Sequence, residues 1–149
     1  MPELKVRGRP RSQDVDLVIV ESVLDIIAED GISKVTMEGV AQRAGVSKAS
    51  LYRRFPTKSD MAQAAVEHMR QESPAIPSQG SAYERLLSLM EGTRTAVQGS
   101  RYGRIMLAVI STSHEHPELA QLVYNRILQP RRMRIREIVE QGIEAGEFP

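Results

Sequence analysis

The chain contains no cysteine and no tryptophan, and aromatic residues fill only 4% of its 149 positions. The first absence excludes disulfides, thiolate catalysis and thiolate zinc sites together. It suits a reducing cytoplasm, which is the expected location. With so few aromatics, any core must be built from aliphatic side chains and Met. No run approaches the roughly 20 apolar residues that cross a bilayer, and the charged N-terminus lacks the apolar segment of a secretory signal. Hydrophobic residues at 41% and charged residues at 26% match a soluble globular chain of one ordinary domain or two small ones.

What is present is unevenly charged. The formal net charge is +1, but residues 1–11 hold Lys5, Arg7, Arg9 and Arg11 against Glu3 alone. Residues 12–42 are acidic, with Asp14, Asp16, Glu21, Asp25, Glu29, Asp30 and Glu38 against Lys34. Residues 43–58 carry Arg43, Lys48, Arg53, Arg54 and Lys58 and no acid. Two basic patches flanking an acidic stretch point to a polyanionic partner more strongly than the net charge does.

The apolar period is helical throughout, and the expected fold class is all-α. In "DVDLVIVESVLDIIAE", residues 14–29, Leu17, Val20, Leu24 and Ile27 form one stripe with Val23 beside it, and Gly31 is a stop signal. Thr36 and Ser47 are N-cap residues for two short helices separated by Gly45, and "TKSD", Thr57 to Asp60, has the form of a capping box. The segment "SPAIPSQGS", residues 73–81, carries two prolines and a glycine and reads as a linker. The expected organisation is a disordered basic arm over 1–13, a DNA-binding unit with its connecting helix over 14–72, and a helical regulatory unit over 82–149. Ser81 and Glu84 make a full capping box, after which Tyr83, Leu86, Leu87, Met90 and Val97 form the expected inward face. Tyr102, Ile105, Met106, Val109 and Ile110 form the next face, then Leu119, Leu122, Val123 and Ile127. Pro130 is expected to kink or break the last helix.

The two short helices joined by "AGVS" have the spacing of a helix-turn-helix, whose second helix enters the major groove. Lys48, Ser50, Tyr52 and Arg53 offer hydrogen-bond donors of different reach, while Leu51, Phe55, Ala41 and Val46 form the inward side. Spacing alone leaves a plain helical bundle as the rival reading. "TMEGVAQRAGVSKASLYRRFPTKSDM", Thr36 to Met61, resembles the DNA-binding segment of TetR-family transcriptional regulators, as does the preceding "AEDGISKVT". The resemblance is specific over residues 14–66 and generic elsewhere. It implies that Thr36, Tyr52 and Lys58 grip phosphates while Ser47, Lys48, Ala49, Ser50 and Arg53 face the groove. Within that frame, Arg53 suits a bidentate contact to guanine and Ala49 a thymine methyl. Arg54 is expected to be a solvated surface charge. Gly39 stands early in a helix where larger residues are common in the family.

The same resemblance implies a palindromic double-stranded DNA operator, a small-molecule inducer, a homodimer and a repressor's role. Met90, Thr93, Met106, Val109, Ile110 and Val123 are the candidate lining of an inducer pocket. The alternative is a constitutive DNA-binding module or fragment with no ligand switch. Family members continue for two more helices beyond "GEFP", so the chain reads as incomplete at that end. Neither a cofactor nor enzymatic activity is expected, since no nucleophile–base pair stands out. His114 and His116 in "HEHP" are two apart and face nearly opposite sides of any helix, so no metal site is expected there. The cluster Arg131 to Arg134 with Arg136 reads as a solvated helix face. Finally, Arg7-Gly8-Arg9-Pro10 resembles the core of the AT-hook. With Arg11 it forms an arm expected to touch DNA, either by minor-groove insertion or by phosphate attraction.

Overall fold

A computed structural model describes residues 12–149. Arg7, Arg9 and Arg11 therefore lie outside the described residues. Eight α-helices follow in order: α1 Ser12–Asp30, α2 Met37–Ala44, α3 Lys48–Arg54, α4 Lys58–Glu72, α5 Ala82–Val97, α6 Arg101–Ser111, α7 Pro117–Val123 and α8 Gln129–Glu144. There is no strand among the described residues.

Local chemistry sets the helix ends. Gly31 leaves α1 at φ +90°, and Gly45 ends α2 at φ +66°, a left-handed conformation that glycine adopts without a Cβ penalty. The Thr36 hydroxyl accepts from the Gly39 N–H at 2.9 Å, and the Ser47 hydroxyl accepts from the Ser50 N–H at 3.1 Å. Two full capping boxes open α4 and α5. Thr57 pairs with Asp60 at 3.0 and 3.1 Å, and Ser81 with Glu84 at 2.9 and 3.2 Å. Each expected cap is in place because capping depends on residues no more than four apart.

Packing departs from expectation where helices are wrapped on several sides. Of the α1 stripe, Val20, Val23, Leu24 and Ile27 are buried, but Leu17 is 47% exposed, and Ile19 and Ile26 are buried instead. α1 packs against α2, α4 and α6, so its apolar surface exceeds one stripe. On α5 the expected face is inverted: Tyr83, Leu87, Met90 and Val97 are exposed, while Ala82, Arg85 and Leu89 are buried. Arg85 can be buried because its guanidinium donates to the Pro77 carbonyl at 3.0 Å and to Gln141 Oε1 at 2.9 Å. Small Ala82 lies where Gly142 of α8 and the Phe148 ring approach.

Pro130 neither breaks nor ends the last helix. The turns before it, Tyr124–Leu128, widen into a π-helical segment, and α8 starts at Gln129 with Pro130 in its first turn. A proline there needs no N–H partner, so the widened turn absorbs the misfit. Residues 73–81 are free of helix, yet two arginines hold them: Arg85 on Pro77, and Arg131, which donates to the Pro74 carbonyl and to Thr93 Oγ1 at 2.8 Å. Arg131 is thus half-buried rather than solvated, and burial lowers its pKa. Its neighbours in the cluster fit the solvated reading, with Arg134 paired to Glu137 at 2.7 Å and Arg136 to Glu140 at 2.8 Å. One apolar core runs from Val40 and Leu51 through α1 and α4 to Ile105, Val109 and Val123.

Candidate nucleic-acid interface

The recognition surface starts from a helix too short to stand alone. α3 has seven residues, and isolated helices of that length are unstable in water. Tertiary contacts therefore hold it: Leu51 is fully buried and Phe55 is 9% exposed. With those two anchored inward, the opposite side is fixed outward. Ser47, Lys48, Ala49 and Arg53 are exposed, Ser50 is half-buried, and Tyr52 is 48% exposed. Thr36 and Lys58 are also exposed, each at the N-terminal end of its helix. Thr36 accepts the Gly39 N–H, which leaves its own O–H to donate. A Cβ on Gly39 would come within 3.0 Å of that hydroxyl, which explains a glycine at a position where helix propensity disfavours it.

The charges sort into two groups. Arg43 and Arg54 turn back onto the acidic α1. Arg43 makes a bidentate pair with Glu29, both bonds 2.8 Å, and lies 3.6 Å from Asp25. Arg54 pairs with Asp16 at 2.5 Å, its side chain only 19% exposed. The reading of Arg54 as a solvated charge is therefore corrected. The acidic stretch of residues 12–42 serves in large part as a counterion platform for arginines of other helices. Arg53 and Lys58 have no ion-pair partner among the described residues and remain available to phosphate or base. Lys48 is intermediate, since its ammonium pairs with Glu38 of α2 while both side chains stay largely exposed.

That pair yields a testable expectation. Glu38→Gln should raise affinity for random duplex DNA by up to about fivefold, because exposed ion pairs contribute about 0.2–1 kcal/mol. Fluorescence anisotropy at low salt measures it. An unchanged or weakened affinity would mean that Lys48 does not meet DNA.

The inducer candidates do not converge. Met90, Thr93 and Ile110 are exposed, and Thr93 is engaged by Arg131. Met106 is buried, but only Val109 and Val123 line an apolar cavity, of about 50 Å³, shared with Val23, Leu24, Met61 and Met69. α5 presents Met90 and Thr93 to solvent because Leu89 and Arg85 take its inward side.

Of the histidines in "HEHP", His114 is exposed, and His116 Nε2 lies 3.4 Å from Ser33 Oγ. A different grouping is formed only by the fold. Glu21, His68 and Glu72 bring possible ligand atoms within 4.8 Å of one another, but the Arg101 guanidinium occupies both carboxylates. Its hydrogen bond holds the Glu21 carboxyl below its usual pKa. The signal was there in outline: Glu21 with Asp25, and His68 with Glu72, are each one helical turn apart, and α1 carries no Lys or Arg beside its acids over residues 14–30.

An exposed second helix of donors, packed against α2, defines a helix-turn-helix DNA-binding protein. Residues 19–65 match the family model for bacterial regulatory proteins of the tetR family, and residues 76–149 match the tetracyclin repressor-like C-terminal domain. The chain belongs to the TetR family of transcriptional regulators.

It is 28% identical over 142 residues to an uncharacterized HTH-type transcriptional regulator, YdeS of Bacillus subtilis, covering 95% of this chain and 71% of that protein. It is 29% identical over 126 residues to the HTH-type regulator Mb1581 of Mycobacterium bovis, covering 84% of this chain and 61% of that one. Its fold is similar to that of MexZ, described as a key repressor responsible for antibiotic resistance in Pseudomonas aeruginosa. The TM-score is 0.74 at 21% identity, over 93% of this chain and 72% of that one. No helix among the described residues is long and apolar enough to cross a membrane.

Proposed function

We propose that the chain is a one-component repressor that binds a palindromic operator as a homodimer and leaves it when a small molecule binds residues 82–149. The observation that carries the DNA half is the outward row Ser47, Lys48, Ala49, Ser50, Tyr52 and Arg53, flanked by exposed Thr36 and Lys58. In this reading Thr36, Tyr52 and Lys58 hold phosphates and fix the register, and the remaining five meet the base edges. Arg53 has the reach and the fork to bind guanine O6 and N7. Two-fold symmetry would set two α3 helices into successive major grooves about 34 Å apart. An inducer acts only if it binds the two arrangements of the heads with different affinity. A second reading, a constitutive DNA-binding module, is supported by the exposure of Met90, Thr93 and Ile110. Release of DNA by any of a panel of small apolar compounds would separate the two.

The base-reading role is tested with Arg53→Ala on a duplex enriched by selection from random sequence. The expected loss is about 1–3 kcal/mol on that duplex with relaxed preference at one base pair. A loss that is equal on enriched and random duplexes would make Arg53 a phosphate contact only.

A further inference from the structure

Arg101 opens α6, but its guanidinium reaches two other helices. Nη1 donates to Glu21 Oε2 and, at 3.1 Å, to Asp25 Oδ1, both on α1, and Nη2 donates to Glu72 Oε1 on α4. His68 of α4 completes the group, its Nε2 2.5 Å from Glu21 Oε1. The Arg101 side chain is 26% exposed, and the partners lie 29 to 80 residues away in sequence. No acid lies within nine residues on either side of Arg101, so only the folded chain provides its counterions. The other arginines on the acids of α1 are committed elsewhere, Arg43 to Glu29 and Asp25 and Arg54 to Asp16.

α6 also packs against α1 through the apolar core that Ile105, Met106 and Val109 share with the buried residues of α1. Apolar contact is non-directional. It holds two helices together while tolerating small slides and rotations. A guanidinium fork bonded to carboxylates on two helices has fixed directions and does not. α1 also packs against α2, and α2 against α3, so whatever fixes α1 against α6 fixes the pose of the recognition helix relative to the rest of the chain.

We propose that Arg101 is a positioning residue for DNA recognition, a latch that ties α6 to α1 and α4 together and sets the angle at which α3 is presented. The inference rests on the repressor reading above and deepens it: any event that displaces α6 must carry the heads with it or break this latch. Arg101 itself does not touch DNA.

The test uses the full chain with Arg101→Met, which keeps the apolar stem. A second variant adds Glu21→Gln and Glu72→Gln, so that the latch is removed without leaving those two carboxylates unpaired. Two readouts are taken at matched helicity. The first is the distance between spin labels on Gln42→Cys and Arg132→Cys, both exposed positions in a chain without other cysteines, diluted with unlabelled protein. The second is the ratio of affinity for the enriched duplex to that for random duplex.

The latch predicts a broadened or shifted distance distribution and a ratio reduced by roughly 5–150-fold, the usual span of coupling between sites, with partial rescue by Arg101→Lys. An unchanged distribution in the folded triple variant overturns it, as does an unchanged ratio. If the wild-type chain enriches no sequence, the repressor reading fails by itself, and the label distances alone decide the latch.

Discussion

Leu51→Ala is expected to lower stability by about 2–5 kcal/mol, the range for removing a buried leucine and leaving a cavity. The site is a severe one. Leu51 is fully buried in the middle of a seven-residue helix, and α3 has little else to hold it. Phe55 sits at the helix end, and Ala41 offers only a methyl group across the turn. Local relaxation has a cost, because any inward movement of α3 drags the exposed row Lys48 to Arg53 with it. The urea midpoint should therefore fall without a large change in slope, and DNA affinity should fall by more than the folded fraction does. If the unfolding free energy falls by under about 1 kcal/mol, a value typical of volume-conserving swaps, α3 is not anchored through Leu51.

Gly103→Ala is expected to cost about 1–3 kcal/mol by overpacking, or roughly 2–4 °C of melting temperature per kcal/mol for a chain of this size. A Cβ there would lie 2.6 Å from the carbonyl oxygens of both Ala96 and Val97 and 2.8 Å from the Val97 Cα. These are backbone atoms of α5, so relief requires moving α6 away from α5. Gly142 makes the comparison informative. A Cβ on Gly142 would be closer still to a neighbour, 2.2 Å from the Phe148 ring, but that ring can rotate aside more easily than a helix can move. It also meets the Ala82 Cβ at 2.8 Å, so Gly142→Ala is not free. The account predicts that Gly103→Ala is the more damaging of the two in thermal denaturation. The reverse order would mean that the α5–α6 contact yields more readily than the tail.

The sequence made one kind of information legible and hid another. Caps at Thr36, Ser47, Thr57 and Ser81 were readable because each links residues three apart. The inward pair Leu51 and Phe55 was readable for the same reason, and with it the outward row that forms the candidate interface. The orientation of α5 was not. Its sequence carries apolar residues around Tyr83, Leu87 and Met90, but burial was decided by what α8 and residues 74–77 offer, and those accept Arg85 and Leu89. Long-range ion pairs and hydrogen bonds were equally invisible. Arg54 finds Asp16 across 38 positions, Arg131 finds the Pro74 carbonyl across 57, and Arg101 finds Glu21 across 80. Each of those arginines looks like a surface charge within its own helix. The acidic stretch of α1 was noticed as a charge imbalance, and its use as a platform for Arg43, Arg54 and Arg101 emerges only when the helices are assembled.

The central claim is that the outward face of α3 reads sequence in duplex DNA. It is tested most directly by selecting binders from a random duplex library with the full chain at near-physiological salt, then measuring the affinity of the enriched duplex against a scrambled one. Specific recognition should enrich two inverted half-sites and bind the winner by a factor of about 10³ or more over the scramble. Enrichment of no sequence, with binding that falls off with salt equally on both duplexes, would contradict the claim and leave only charge attraction.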